Sequence, residues 1–382
     1  MLIRQLQLFS AAVSADSLLP LQQIKPNLVV LFADHALLQQ GSLVTTLRQA
    51  FPQGVVVGCS TAGEITAGGV ADGSAVVTAL AFDHVRYRVA VASMADIEAS
   101  WSAGESIGQQ LAGDDLRAIC LFGPGVAING SSVIAGVVAM VGPQVPIAGG
   151  LAGDGGRFTG TLTVTPDGVD PRAVVAIGLY GEGLHFTQGS FGGWMPFGPT
   201  RKVTRCQGNI LYSLDDEPAL EIYRRYLGDH AKQLPAAGLL FPFEMLDADG
   251  AQVGLIRTIL GIDEASGSLI MAGDIDPNGY LRLMHANIET LIDGAEEAAR
   301  LTYVGNNWQD GVPGLAILVS CVGRKLVMGD QVDEEVESVL EGLPDGTIVT
   351  GFYSYGEIAP FGVLQQCRLH NQTMTILMIQ EV

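Results

Sequence analysis

The chain has 382 residues, 48% of them hydrophobic, and its 20 Lys and Arg against 40 Asp and Glu give a net charge of −20. At about 100–200 residues per domain the length predicts two domains, and a surface this acidic repels phosphate backbones, which excludes nucleic acid as a partner. No run of about 18 uncharged apolar residues occurs, and Met1–Leu6 lacks the basic and apolar regions of a signal peptide, so a cytoplasmic protein without a membrane span is expected.

The first predicted strand is Asn27-Leu28-Val29-Val30-Leu31-Phe32. An apolar-periodic stretch with Leu43, Leu47 and Phe51 follows, and Gly54-Val55-Val56-Val57-Gly58 returns as a second strand. Strand, helix, strand implies a parallel βαβ unit. Residues 75–82 and 87–92 read as neighbouring strands. Ala118–Phe122, a helix over Ser131–Met140 with Ser131 or Ser132 as N-cap, and Val145–Asp154 make another such unit. Residues 161–206 read as antiparallel strands with Gly-rich turns. At Ser213–Pro218 a polar cap, an acidic turn and an early proline start a helix that runs through Tyr223 to Gly228. The boundary is placed near residue 212, giving domains 1–212 and 213–382. Strands follow near Leu255–Leu260 and Ser268–Gly273, then an amphipathic helix from Asn287 to Tyr303. Leu315–Val319, a helix over Val332–Leu340, and Ile348-Val349 form the last unit, and Thr375–Ile379 is a closing strand. The fold class expected is α/β, two domains built from duplicated strand-helix-strand units with additional antiparallel strands.

Each unit ends in the same motif. GVVVGCSTAGEITAGGV at 54–70 and GTIVTGFYSYGEIAPFGV at 346–363 share Gly58/Gly351, Gly63/Gly356, Glu64/Glu357, Ile65/Ile358 and Val70/Val363 at one constant offset. A weaker copy, with spacing shorter by one residue, runs through Gly149-Gly150-Leu151-Ala152-Gly153-Asp154. A repeated βα module often builds a site where its copies meet, at the carboxyl ends of strands. Gly58 and Gly63 then allow close backbone approach, and Glu64 and Glu357 place carboxylates at the rim, with Ser354 and Tyr355 beside the latter. The alternative is a set of tight strand exits whose acids cap backbone amides.

Chemistry that the sequence does not support is equally informative. The cysteines Cys59, Cys120, Cys206, Cys321 and Cys367 are odd in number, dispersed and free of any CxxC, which argues against a zinc site and a disulfide framework. Cys59 and Cys321 sit at strand ends and read as small buried hydrophobes. Ser60 and Thr61 lack the GxSxG elbow, and no glycine cluster has GxGxxG or P-loop spacing. A binding protein rather than an enzyme is expected.

Taken together, GCSTAGEI at 58–65, GGLAGD at 149–154, RTILGID at 257–263, AGDI at 272–275, SCVGRKLVMG at 320–329, GFYSYGEIAP at 351–360 and CRLHNQTM at 367–374 resemble the FIST family over nearly the whole chain. The resemblance implies an N-terminal and a C-terminal FIST domain in tandem, acting as a sensory input module in intracellular signal transduction. It implies a small ligand, with amino acids proposed. A stand-alone chain of this length is also similar to nitric-oxide-sensing haemoproteins of the family, which bind haem b and regulate a partner histidine kinase; a cyclase is another output of the family. A homodimer is the expected assembly.

Within that resemblance, haem would need an axial ligand in an apolar pocket. His370, inside CRLHNQTM, is the candidate iron ligand, with Asn371 or a carbonyl orienting its other nitrogen; its alternative is a strand histidine bonded to the turn at 353–357. His285, just before a helix, is the second candidate. For a carboxylate ligand without haem, Arg324 at a strand exit and Arg257 on a strand offer planar guanidinium clamps, and Ser354 and Glu357 would hold polar ends. The competing reading of Arg324 is a buried pair with a glutamate, Glu357 being the nearest in the motif.

Overall fold

The structure, a computed structural model, describes residues 1–303, 308, 309, 311–361 and 366–382. Most of the chain is one module built three times. The first comprises β1 (Leu2–Leu8), α1 (Ala15–Gln22), β2 (Leu28–Asp34), α2 (His35–Gln39), α3 (Ser42–Ala50), β3 (Val55–Thr61), β4 (Glu64–Thr66), β5 (Gly69–Ala71) and β6 (Ala75–Ala81). The second comprises β7 (Arg86–Ser93), α4 (Ser100–Leu111), β8 (Leu116–Gly123), α5 (Gly130–Val141), β9 (Ile147–Leu151), β10 (Thr163–Thr165), β11 (Gly168–Asp170) and β12 (Ala173–Tyr180). The third opens with β13 (Leu184–Phe191) and is then interrupted.

The interruption holds β14 (Met195–Pro196), β15 (Arg201–Gln207), β16 (Ile210–Leu214), β17 (Glu217–Pro218), α6 (Ala219–Leu227), β18 (Phe243–Leu246), β19 (Gln252–Arg257), β20 (Ile259–Asp263), β21 (Ser268–Met271) and β22 (Tyr280–His285). The third module then resumes with α7 (Ile288–Leu301), β23 (Gly314–Cys321), α8 (Val322–Met328), α9 (Val332–Gly342), β24 (Ile348–Ser354), β25 (Gly356–Phe361), β26 (Gln366–His370) and β27 (Met374–Glu381). The α/β class and the βαβ units are as expected, with β2/β3, β8/β9 and β23/β24 as the parallel pairs.

The modules exchange strands. Their sheets run β1-β6-β2-β3, β7-β12-β8-β9 and β13-β27-β23-β24. The hairpin after each motif leaves its own sheet: β4–β5 pairs with β24, β10–β11 with β3, and β25–β26 with β9. The exchange is cyclic, so every sheet is completed by another module. The division near residue 212 falls inside β16, and exchanged hairpins cross it in both directions. Val363, the last matched position of the repeat, lies outside the described residues.

Inner faces of the three sheets share one core. At its centre Phe32, Phe122 and Phe352 meet, with ring centroids 5.4 Å, 4.6 Å and 6.1 Å apart. Phe32 and Phe122 lie on the first strand of their pairs, opposite Cys59 and Gly150; the third module reverses this, with Val319 opposite Phe352. One large and one small residue per pair fill the centre without overlap. The first motif glycine has a matching role. A Cβ on Gly58, Gly149 or Gly351 would overlap the carbonyl oxygen of Leu31, Leu121 or Leu318 on the adjacent strand. Close approach is therefore to a neighbouring strand, not to a ligand.

The inserted sheet runs β19-β18-β22-β15-β16-β21-β20. Its two end strands, β19 and β20, are consecutive and bend at Thr258, so the sheet curls around its own core, where Leu220, Tyr223 and Leu227 of α6 pack. Among the described residues no helix is long and apolar enough to cross a membrane.

Candidate functional site

The three motif turns touch one another, as expected of repeated strand exits, but they form a closed ring of hydrogen bonds rather than an open pocket. Ala62 N donates to Tyr353 O at 2.8 Å and Tyr353 N to Gly63 O at 2.8 Å; Gly153 N donates to Ser60 O at 2.9 Å; Tyr355 N donates to Leu151 O at 3.1 Å. The acids lie beneath this ring. Glu64 accepts from Thr61 Oγ1, from Ser74 N at 3.0 Å and from Ser74 Oγ at 2.7 Å. Glu357 accepts from Ser354 Oγ at 2.6 Å and from Thr373 N and Oγ1 at 3.1 and 3.0 Å. Asp154 accepts from Tyr355 Oη and from the backbone of Phe158, Thr159 and Gly160.

Burial pushes the pKa of Glu64 up to about 7 and that of Glu357 up to about 8, against their hydrogen bonds. Asp154 is also pushed up by burial, but donors from Tyr355, Thr159 and Gly160 outweigh it and bring it down to about 2. Glu64, Ser354 and Glu357 are thus buried capping groups, not rim ligands. Tyr355 differs, since its ring stacks on Phe158 with centroids 4.0 Å apart and also lines a 70 Å³ cavity.

Arg324 is fully buried and committed. It pairs with Glu335 at 2.5 Å, donates to Leu291 O at 2.7 Å and to Gly192 O, and so ties α8, α9 and α7 to the neck that leads into the inserted sheet. Glu335 also accepts from Ser320 Oγ at 3.0 Å and Tyr353 Oη at 2.6 Å. The carboxylate clamp expected of Arg324 is therefore already closed on a residue of the chain, Glu335 rather than Glu357.

A haem iron needs a ring nitrogen aimed into a slot for the macrocycle. His370 is 1% exposed, its Nε2 lies 3.2 Å from Ala359 O, and burial lowers its pKa to about 4. His285 is half-buried, with its ring edge-on to Phe197 at 6.0 Å. Neither lines the large cleft described next. These two histidines do not fit a haem. Among the described residues no three His, Cys, Asp or Glu side chains gather as a metal set.

Arg257 is placed otherwise. A cleft of 530 Å³ opens where α5, the inserted sheet and β26 meet, and Arg257 lines it together with Arg368, Asp274 and Asp276. Arg257 is 4% exposed, and its guanidinium donates only to carbonyls: Asp274 O at 3.0 Å, Ile256 O at 3.1 Å and Leu369 O at 3.1 Å. Burial lowers its pKa to about 10, which leaves it charged at neutral pH. Among the described residues neither Arg257 nor Arg368 has an ion-pair partner. The Asp274 carboxylate favours the charge but stands beyond ion-pair distance, so the burial of the guanidinium is only partly offset and still costs free energy. An anion in the cleft would relieve that cost.

The opposite wall is apolar. Ile134, Ala135, Val138 and Ala139 of α5 lie at helical spacing along it. The other face of α5 buries Val133 and Val137 in the second module. The N-cap of α5 is Asn129, not Ser131 or Ser132; its Oδ1 accepts from Ser132 N at 3.0 Å while its Nδ2 reaches Asp274 Oδ1 at 3.4 Å. Asp274 and Leu369 also line the 70 Å³ cavity beside Tyr355.

Of the predicted ligand residues, only Arg257 reaches the cleft. Arg368, Asp274 and Asp276 were not singled out by the sequence, although CRLH and AGDI contain the first two. The usable signal was in α5, whose apolar residues fall on both faces, as in a helix covered from two sides.

Residues 27–217 match the FIST N domain and residues 219–360 match the FIST C domain. An uncharacterized protein of Methanocaldococcus jannaschii is 24% identical over 212 residues, covering 52% of this chain, and the chain spans 39% of that relative's length. A solved cyanuric acid hydrolase from A. caulinodans aligns over 100% of this chain and 99% of its own at a TM-score of 0.36 and 9% identity, a likeness too distant to carry an argument.

Proposed function

This chain belongs to the FIST family, a FIST N domain running into a FIST C domain, and from that premise we propose that it senses a small carboxylate, an amino acid first of all, in the cleft of Arg257. FIST domains are sensor domains of signal transduction that bind small ligands. The observation that carries the finer reading is Arg257, a buried guanidinium paired only with carbonyl oxygens at the wall of a 530 Å³ cleft. In this reading Arg257 and Arg368 take the carboxylate, and Asp274 or Asp276 takes the ammonium group. The α5 wall takes an apolar side chain.

The ligand would bridge α5 of the second module and the sheet inserted in the third. Occupancy then changes how those two parts sit together, and a partner histidine kinase or cyclase reads the change. Binding rather than turnover is favoured by the cysteines, since burial pushes the Cys59 and Cys321 thiols up, away from the reactive thiolate.

A thermal-shift panel of amino acids and short carboxylates tests the reading. At about 100 times its Kd, a true ligand adds about 2.7 kcal/mol to stability and raises the melting temperature of the wild type but not of Arg257→Met. A panel that leaves both proteins unmoved at millimolar concentration removes the support for it.

A further inference from the structure

Each exchanged hairpin lays its outer strand against a helix of the receiving module: β5 against α9, β11 against α3 and β26 against α5. The third of these seams contributes to the cleft already described. The other two differ from each other in one informative way.

Between β5 and α9 a carboxylate is built in. Asp333 Oδ1 accepts from Val70 N at 2.7 Å, and the same carboxylate lies where a Cβ on Gly69 would project. The β10–β11 hairpin repeats this geometry. Thr165↔Gly168 and Val164↔Val169 reproduce Thr66↔Gly69 and Ile65↔Val70, and both glycines have positive φ, +142° and +105°. In each hairpin the glycine pair closes the two-residue turn, so the next residue's N–H points away from its partner strand. Val169 N–H is thus directed toward α3 as Val70 N–H is toward α9.

No acid of α3 meets it there, because α3 reads SLVTTLRQA. In place of a carboxylate on the helix there is a 390 Å³ cavity lined by Val169, Thr45 and Arg48, with Val44 and Leu162 as an apolar wall and Asp167 of the β10–β11 turn also lining it. Arg48 Nη1 donates to Asp167 O at 2.8 Å, which holds the guanidinium over the seam. Among the described residues Arg48 has no ion-pair partner.

We propose that the α3–β11 seam is a second ligand site, which takes the carboxylate of a small free acid with a short apolar tail. Val169 N–H and Arg48 hold the carboxylate, as Val70 N–H holds Asp333 in the sister seam, and Val44 and Leu162 cover the tail. The site stands apart from the cleft of Arg257 and does not depend on it.

Isovalerate is the probe, titrated into ¹⁵N-labelled full-length protein carrying Arg257→Met, so that the cleft contributes nothing. The Val169 amide resonance is expected to move saturably. Arg48→Gln should weaken the affinity about 10-fold, the loss of one charge-assisted contact. Thr45→Asp, which sets a carboxylate on α3 to face Val169, should abolish the shift. A Val169 resonance unmoved at about 50 mM isovalerate, a range that reaches even very weak sites, overturns the proposal. So does a titration that Arg48→Gln or Thr45→Asp leaves unchanged.

Discussion

Burial decides the behaviour of single residues here more than charge does. Glu357 is the clearest case, because its shift has a definite sign. Its folded pKa is raised to about 8 by burial, against an unfolded value of about 4.3. Between these values the folded state keeps a proton that the unfolded state has released. The stability from this group is therefore full below the unfolded pKa and is lost as pH rises through the folded one, with a limiting slope of about 1.4 kcal/mol per pH unit. Glu64, raised to about 7, acts in the same direction. Asp154, lowered to about 2, acts oppositely and only in acid. Denaturant titrations between about pH 6.5 and pH 8, above the window in which His370, lowered to about 4, adds stability as pH rises, should show the wild type losing stability as pH rises. Glu357→Gln should keep only the shallower decline owed to Glu64, and identical slopes in the two proteins would mean that Glu357 is ionised when folded. The sequence placed Glu64 and Glu357 at equivalent positions but could not say which way they faced. Their donors Ser74 and Thr373 sit at different offsets from them, and so escape a repeat search.

At the scale of elements, helices and parallel strands were legible and hairpin partners were not. Residues 288–301 and 332–342 are helices close to their predicted bounds, since amphipathic spacing is local information, whereas α6 begins only at Ala219, because Ser213–Pro218, expected as its cap and acidic first turn, pair as the β16–β17 hairpin. The expected strand at 255–260 is instead two, β19 and β20, bent at Thr258, where Gln372 Nε2 donates to Thr258 Oγ1 at 3.1 Å. That bend sets Arg257 at the edge of the cleft, and nothing within the segment itself announces it. The motif hairpins have ordinary turn residues, and their cross-module pairing depends on strands up to hundreds of residues away. For α5 the apolar outer face has a direct consequence. Ala139→Trp should fill the cleft and abolish ligand binding while changing stability by no more than about 0.5 kcal/mol, as for other exposed substitutions. Retained binding in that variant would place the ligand elsewhere.

For the whole molecule, cyclic exchange makes the modules interdependent. The family domains divide the chain between residues 217 and 219, yet β4–β5 and β25–β26 cross that line to complete β24 and β9. A fragment ending at 217 would leave β9 without its partner hairpin, and its own β4–β5 with no strand to join. Unfolding of the full chain is expected as one calorimetric transition, with no cooperative transition in the 1–217 fragment; two separate transitions, or a stably folded fragment, would contradict this interdependence. The same wiring gives the sensor reading its physical route, because a ligand in the cleft contacts α5, the inserted sheet and β26 together.

The most direct measurement is isothermal titration of L-leucine into the wild type and Arg257→Met. An apolar amino acid should bind the wild type, and the variant should bind about 100-fold more weakly with its fold intact, the loss of roughly 2.7 kcal/mol expected when a buried charge-assisted pair is removed. Equal affinity in the two proteins would contradict the role of Arg257, and no heat in the wild type, repeated across the other apolar amino acids, would contradict the cleft as their site.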